Sequence, residues 1–284
     1  MIDSPVQHTP RNRPERDGHE GDPAVATSTL TPIDDDRLGR LRRYNLAAGV
    51  AHAVQAVLIL LLANAFSLPV TASYSLGAPG TSTYETVVLF DTRIAWGVAL
   101  FFVLSAVAHF WIASPPGFAR YGRDLAQQQN ISRWVEYSIS SSIMIVLIAQ
   151  ISSVTNVLTL FALFAVNATM ILFGWLQEKY QSPGDGGWLP YIFGCIAGAV
   201  PWLCLVFLVI APGSSNATSP PAFVYAIIIS LFLFFNVFAV NQWLQYKQVG
   251  RWRDYLVGER AYITLSLVAK SLLAWQVFFG TLAG

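Results

Sequence analysis

A bundle of seven membrane-spanning α-helices is the fold class that this 284-residue sequence predicts. Three observations predict it. Seven apolar stretches are each long enough to cross about 30 Å of hydrocarbon. Hydrophobic residues make up 54% of the chain and charged ones only 12%, about half the charge of a soluble domain. A lone lysine, Lys270, lies inside the last stretch, where an unpaired ammonium costs about 2.5–3.5 kcal/mol. Such a residue is kept only if it is paired, lines water, or is used covalently.

Taken in order, residues 1–37 are rich in Pro, Asp, Glu, Arg, Thr and Ser and carry few large apolar side chains. Burial cannot offset the entropy of ordering such a segment. It is expected to be a disordered cytoplasmic tail, with no role for His8 and His19. No apolar run follows Met1, so no signal peptide is expected. Residues 38–284 are expected to form the helical domain. Its apolar segments cover about 42–64, 88–113, 120–153, 156–179, 188–211, 221–246 and 254–282. Polar or Pro/Gly-rich breaks separate them, as at Ser114–Gly117, Ser182–Gly187 and Pro212–Pro221. The loop at about 65–87 holds two β-favouring runs, Val70–Leu76 and Thr81–Val88, around Gly77–Gly80. It reads equally as a small extracellular hairpin or as an irregular loop.

Orientation follows from the basic residues. With the N-terminus inside, all 17 Lys and Arg except Arg93 and Lys270 fall on the cytoplasmic side, which is the side that retains positive charge. The expected protein is thus a multi-pass plasma-membrane protein with a cytoplasmic N-terminus and an extracellular C-terminus. The two cysteines, Cys195 and Cys204, lie nine residues apart on one segment. A helix places them too far apart for a disulfide. There is no zinc-type spacing or Gly-rich phosphate loop, and a net charge of +1 gives no indication of nucleic-acid binding. Neither a metal site nor an enzyme is expected.

The charge on Lys270 calls for an anion. Glu85, Asp91, Asp124, Glu178, Asp185, Asp254 and Glu259 all read as loop or helix-end residues, leaving Glu136 of the third segment as the deep acid. Counted from the outer ends, Glu136 lies ~26 Å and Lys270 ~20 Å deep, and a lysine stem covers the difference. Side chains lean toward a helix N-terminus, so Lys270 leans toward Glu136. The pairing requires the third helix to begin within Phe118–Gln129. The competing arrangement is a surface pair between Glu136 and Arg133, three residues back. Ser266 lies one turn before the lysine. Asn45, His52 and Gln55 share a face of the first segment, and His109 ends the second. Each is an ordinary helix–helix hydrogen-bonding residue taken alone. Together with Glu136 they outline a polar cavity in the inner half. Some aromatic residues, such as Phe235 in the Phe232–Phe238 run, are expected to line whatever the lysine holds.

A lysine in the seventh helix and an acid in the third resemble the retinal-binding rhodopsins. Arg133-Trp134-Val-Glu136-Tyr137 followed by Ser140-Ser141 is similar to the microbial pattern on the third helix, and Met170 and Gly174 resemble the Met and Gly that touch the chromophore. Pumps carry an Asp where this chain has Ser266, and they place the N-terminus outside. Both departures, together with His52 and His109, resemble the heliorhodopsins over residues 38–284. The resemblance implies all-trans retinal on Lys270 as a protonated Schiff base, with Glu136 as the one counterion and Ser266 hydrogen-bonded beside it. It implies Tyr137, Ser140, Met170, Gly174 and Phe235 as pocket residues, and His52, His109 and Gln55 around a proton-accepting cavity. It also implies a slow photocycle suited to light sensing without net transport, a homodimer in the lipid bilayer, and a cytoplasmic signalling partner. The main rival is a light-driven or light-gated proton transporter; a second is a seven-helix protein without chromophore.

Overall fold

The computed structural model describes residues 33–210 and 219–283. Nearly all of the expected tail, with His8 and His19, and most of the Pro212–Pro221 break lie outside the described residues. The chain forms α1 (Asp35–Leu62), a hairpin of β1 (Ser67–Ser75) and β2 (Tyr84–Arg93), then α2 (Ile94–Ala113), α3 (Pro115–Ala126), α4 (Ile131–Ile151) and α5 (Val157–Tyr180). It continues through α6 (Leu189–Ile210), α7 (Ala222–Tyr246), a 3₁₀ turn (Gly250–Arg253) and α8 (Tyr255–Val277), which runs on as a π-helical turn to Leu282. Among the described residues, every α-helix except α3 is long and apolar enough to cross a membrane, making seven.

Local chemistry sets the helix starts. Asp34 caps α1, its carboxylate accepting from the Asp36 amide at 3.3 Å, and Asp35 and Asp36 place negative charge in the first turn, where the helix dipole favours it. The helix therefore begins at Asp35, so the last three residues assigned to the tail are helical. Asp254 caps α8 by accepting from the Leu256 amide at 3.0 Å and pairs with Arg37 of α1. Ser114 caps α3, with Pro115 and Pro116 following it, as suits a first helical turn.

Two boundaries differ from the sequence reading. Residues 88–93 belong to β2 rather than to the second helix, so Asp91 and Arg93 are strand residues. The third apolar segment is broken: α3 ends at Ala126, Gln128 adopts a positive φ of 56°, and α4 starts only at Ile131. Hydropathy does not resolve this break, because α3 is amphipathic. It buries Gly117, Tyr121 and Leu125 while leaving Arg120 and Arg123 exposed.

The hairpin is real and longer than its two β-favouring runs. Its register pairs Ser67 with Arg93 and Ser75 with Tyr84, with an irregularity at Val70/Thr71. There the Thr71 amide donates to Thr155 O at 2.8 Å, which ties the hairpin to the turn before α5. The bundle thus has a hairpin end and an opposite, basic end. The largest apolar cluster fills the hairpin half, with Ile59, Val98, Phe101, Phe102, Ile145, Ile148, Leu273 and Val277 at its centre. A second cluster, Leu41, Ile112, Tyr121, Leu125 and Leu256 among it, seats α3 on the basic end.

Candidate chromophore site

Lys270 sits on the inward face of α8 and is 3% exposed. Its Nζ donates to Glu136 Oε1 at 2.8 Å, to Ser105 Oγ at 2.6 Å and to Ser266 Oγ at 3.1 Å. Ser105, on α2, also donates to Glu136 Oε1 at 2.7 Å, so a hydroxyl bridges the ion pair. Ser105 escaped the sequence reading. A single serine inside the apolar run of α2 has no signal apart from lying one turn before His109.

The Lys270–Glu136 pair forms although α4 begins at Ile131 and not within Phe118–Gln129. Glu136 is only five residues into its helix, yet 9% of its side chain is exposed. Its carboxylate is covered by Ser105 of α2 and Lys270 of α8, which meet it from neighbouring helices.

A buried charge cluster around Arg133 excludes the competing surface pair and corrects one further expectation. Arg133 does not pair with Glu136. It forms ion pairs with Glu178 of α5 and Glu259 of α8, and all three side chains are buried. Neither acid is a solvated helix end. Glu259 Oε1 accepts from Tyr121 Oη at 2.9 Å and from Asn130 Nδ2 at 2.8 Å. Glu178 Oε2 accepts from Trp134 Nε1 at 2.6 Å and from the Asn130 amide at 3.1 Å, and Oε1 from Tyr255 Oη at 3.2 Å. One cation between two carboxylates leaves a formal −1, held by neutral donors. The Arg133 guanidinium also stacks on Tyr262, 4.0 Å from its ring centre. The missed signal was periodicity: Glu259, Ser266 and Lys270 recur at seven and four residues, one face of a helix.

Beside Lys270 opens a cavity of about 330 Å³ between α4, α5, α6, α7 and α8, within the roughly 300–1,000 Å³ typical of ligand sites. Tyr137, Ser140, Met170, Gly174, Phe235, Ser266 and Lys270 all line it, so the structure gathers every expected pocket residue. Trp134, Trp202, Phe238 and Tyr262 add aromatic walls. Glu136 stands behind the lysine, outside the wall. Two glycines make the room. A Cβ on Gly174 would fall 2.5 Å from the Trp134 ring, and one on Gly198 would fall 2.5 Å from Met170 Sδ. Gly174→Ala is therefore expected to push Trp134 into the cavity and lower the yield of any pigment formed there. Titration of purified protein with retinal checks this, and native yield would refute it.

Toward the basic end, His52 and His109 stack with ring centres 5.5 Å apart and planes 11° off parallel. His109 Nδ1 meets Asn45 Oδ1 at 2.8 Å, whereas neither ring nitrogen of the fully buried His52 has a protein partner. Gly49 permits this contact of α1 with α2, since a Cβ there would lie 3.1 Å from His109 Cβ and 2.9 Å from Phe110. Gln55 does not join the histidines. Its Oε1 accepts from Trp275 Nε1 of α8 at 3.2 Å, and its Nε2 donates to Ala51 O at 3.3 Å. Near one face in projection, it is turned away by that tryptophan.

The seven-helix fold is shared with solved microbial rhodopsin structures. The chain is similar to Exiguobacterium sibiricum rhodopsin (TM-score 0.57, 17% identity, 85% of this chain and 96% of that one). It is similar also to a light-driven proton pump from Leptosphaeria maculans (TM-score 0.60, 12% identity, 87% and 96%). The transmembrane domain of a Salpingoeca rosetta rhodopsin phosphodiesterase gives 0.58 at 10% identity, with 87% of each chain covered. At these identities the likeness shows the fold. No curated protein sequence matches the chain. Residues 41–282, however, match the heliorhodopsin family pattern. The chain belongs to the heliorhodopsin family, which makes it a multi-pass membrane protein of the retinal-binding, light-sensing kind.

Proposed function

We propose that this heliorhodopsin senses light through all-trans retinal attached at Lys270 and returns its proton to the same side of the membrane. The carrying observation is that the one buried amine among the described residues closes an aromatic cavity and is 2.8 Å from the carboxylate of Glu136. Retinal would be held through Lys270 Nζ and, when bound, would supply visible absorption and a light-driven isomerisation. Glu136 then holds a proton on Nζ by its charge, Ser105 and Ser266 fix the direction of that proton, and Gly174 and Trp134 shape the cavity.

When the proton leaves Nζ, polar groups await it toward the basic end: the His52–His109 pair, with Asn45 behind it. Toward the hairpin end, Phe101, Phe102, Ile145 and Ile148 close the bundle with apolar side chains. This asymmetry favours sensing over pumping. The basic end is taken as cytoplasmic by its charge. The reading includes a homodimer and a cytoplasmic partner, neither identified further.

Adding retinal to the purified protein is expected to produce a visible band, without light-driven acidification or alkalinisation of a cell suspension. A sustained pH change abolished by protonophore would turn the reading to a pump. Glu136→Gln is expected to lose its visible band to the near-ultraviolet at lower pH than the native pigment, because a carboxylate favours the protonated amine. An unchanged titration would remove Glu136 from the counterion role. Replacing His52 and His109 together by Phe is expected to alter decay of the deprotonated intermediate; native flash-photolysis kinetics would count against the histidine pair.

A further inference from the structure

Arg42 of α1 is held in place from two sides. Its Nε donates to Ala113 O at 2.8 Å, one of the carbonyls that the last turn of a helix leaves without a partner of its own. Its guanidinium lies over the Phe118 ring of α3, 5.0 Å from the ring centre. Arg42 is exposed all the same. Among the described residues it has no carboxylate partner, and Nε alone meets an acceptor. The Nη1–Nη2 edge is left over, a planar pair of donors that matches two oxygens of a phosphate.

Arg42 also stands at the level of a bilayer's phosphates. α2 runs from Ile94 to Ala113, 20 residues, which is about 30 Å or one hydrocarbon thickness. Counted along α1, Arg42 lies the same distance from the hairpin end, since that helix finishes at Leu62. Tyr44 and Trp111, 36% and 48% exposed, mark the same level, where amphipathic rings gather in membrane proteins. From there toward the hairpin end, Leu46, Val50 and Phe110 expose apolar surface on α1 and α2. Phe110 joins this strip by packing over Gly49 of α1, where a Cβ would fall 2.9 Å from its ring. A free phosphate ion gains nothing from such a strip, whereas a phospholipid brings an acyl chain to it.

The surrounding charge selects the headgroup. Arg40 and Arg43 are exposed on the same helix, and among the described residues neither has a carboxylate partner. The nearest acids on α1, Asp35 and Asp36, lie about 9–10 Å farther out along the helix. The ammonium of a zwitterionic headgroup would be set among these cations. A headgroup with a net negative charge meets no such repulsion.

We propose that Arg42, hooked to the end of α2 and stacked on α3, binds the phosphate of an anionic phospholipid in the leaflet at the basic end. The acyl chain lies along Leu46, Val50 and Phe110. Such a lipid ties α1, the end of α2 and the start of α3 together from outside. The site does not depend on the chromophore.

Native mass spectrometry of the full chain tests it, with the protein released from micelles holding equal amounts of phosphatidylglycerol and phosphatidylcholine of the same acyl chains. The native protein is expected to retain phosphatidylglycerol over phosphatidylcholine by about fivefold, the effect of one arginine at an anionic lipid. Arg42→Gln is expected to retain the two about equally, while Arg120→Gln keeps the native preference. Arg42→Lys keeps the charge but cannot serve Ala113 O and two phosphate oxygens together. It is expected to lose most of the preference, and it carries the test where Arg42→Gln does not fold. Equal retention of both lipids by the native protein, or a preference that survives either Arg42 substitution, overturns the site. Displacement of phosphatidylglycerol by an equal concentration of inorganic phosphate overturns it too, since that marks a site for a bare anion.

Discussion

Lys270→Ala mixed with retinal is expected to stay colourless, while the native protein acquires a visible band. The chain has three lysines, and the other two are spoken for at the basic end. Lys179 lies over the Trp175 and Tyr180 rings, and Lys247 over Trp188. Neither lines the cavity, so no second amine can take over. The bundle itself is expected to survive the change. Glu136 keeps Ser105 as a donor and takes up a proton once its cationic partner is gone. Loss of colour with unchanged helical circular dichroism and unchanged elution on size exclusion therefore isolates the chemistry from the fold. Borohydride reduction of the illuminated native pigment should mark the peptide that contains Lys270. A coloured alanine variant, or a label elsewhere, would sink the attachment site.

Arg133→Gln is expected to cause the largest loss of stability, about 3–5 kcal/mol, because it leaves two buried carboxylates with no cation between them. Glu178→Gln should cost much less. It removes the surplus negative charge and leaves Arg133 paired one to one with Glu259. The ranking distinguishes a charge cluster from mere packing, since both substitutions change volume modestly. Thermal bleaching of the reconstituted pigments measures it. Equal stability of Arg133→Gln and the native pigment would mean that the three charges do not hold α4, α5 and α8 together.

The parts of this architecture that were legible in the sequence are those whose cause is local. Seven runs of apolar side chains, a charge asymmetry and one misplaced lysine need only hydrocarbon thickness and desolvation to be understood. Glu136, Ser266 and the histidine pair followed from helical spacing, and the hairpin from β-favouring runs. In the cluster of Arg133, Glu178 and Glu259 only Glu259 carried such a signal, through its spacing to Ser266 and Lys270. Each acid sits near the end of its apolar run, and its burial comes from groups brought by other elements, Tyr121 of α3 to Glu259 and Trp134 and Tyr255 to Glu178, a tertiary event. The break between α3 and α4 was hidden for the same reason. Tyr121 and Leu125 read as a continuation of an apolar run, although they face the bundle from an adjoining helix. Ser105 is a hydroxyl whose importance appears only when Lys270 and Glu136 arrive from other helices.

The turn between α3 and α4 has a consequence for which amino acids the chain can tolerate there. Asn130 begins α4 by accepting from the Arg133 amide at 3.0 Å through Oδ1, and with Nδ2 it donates to Glu259. Aspartate would cap the helix as well but would add a third negative charge to two buried carboxylates. Serine or threonine would cap it, but its single oxygen would have to serve both contacts that asparagine makes from two separate atoms, and glutamine reaches too far for a cap. Starting a helix and neutralising a charge are thus one requirement at this position. Among the common capping residues only asparagine meets both.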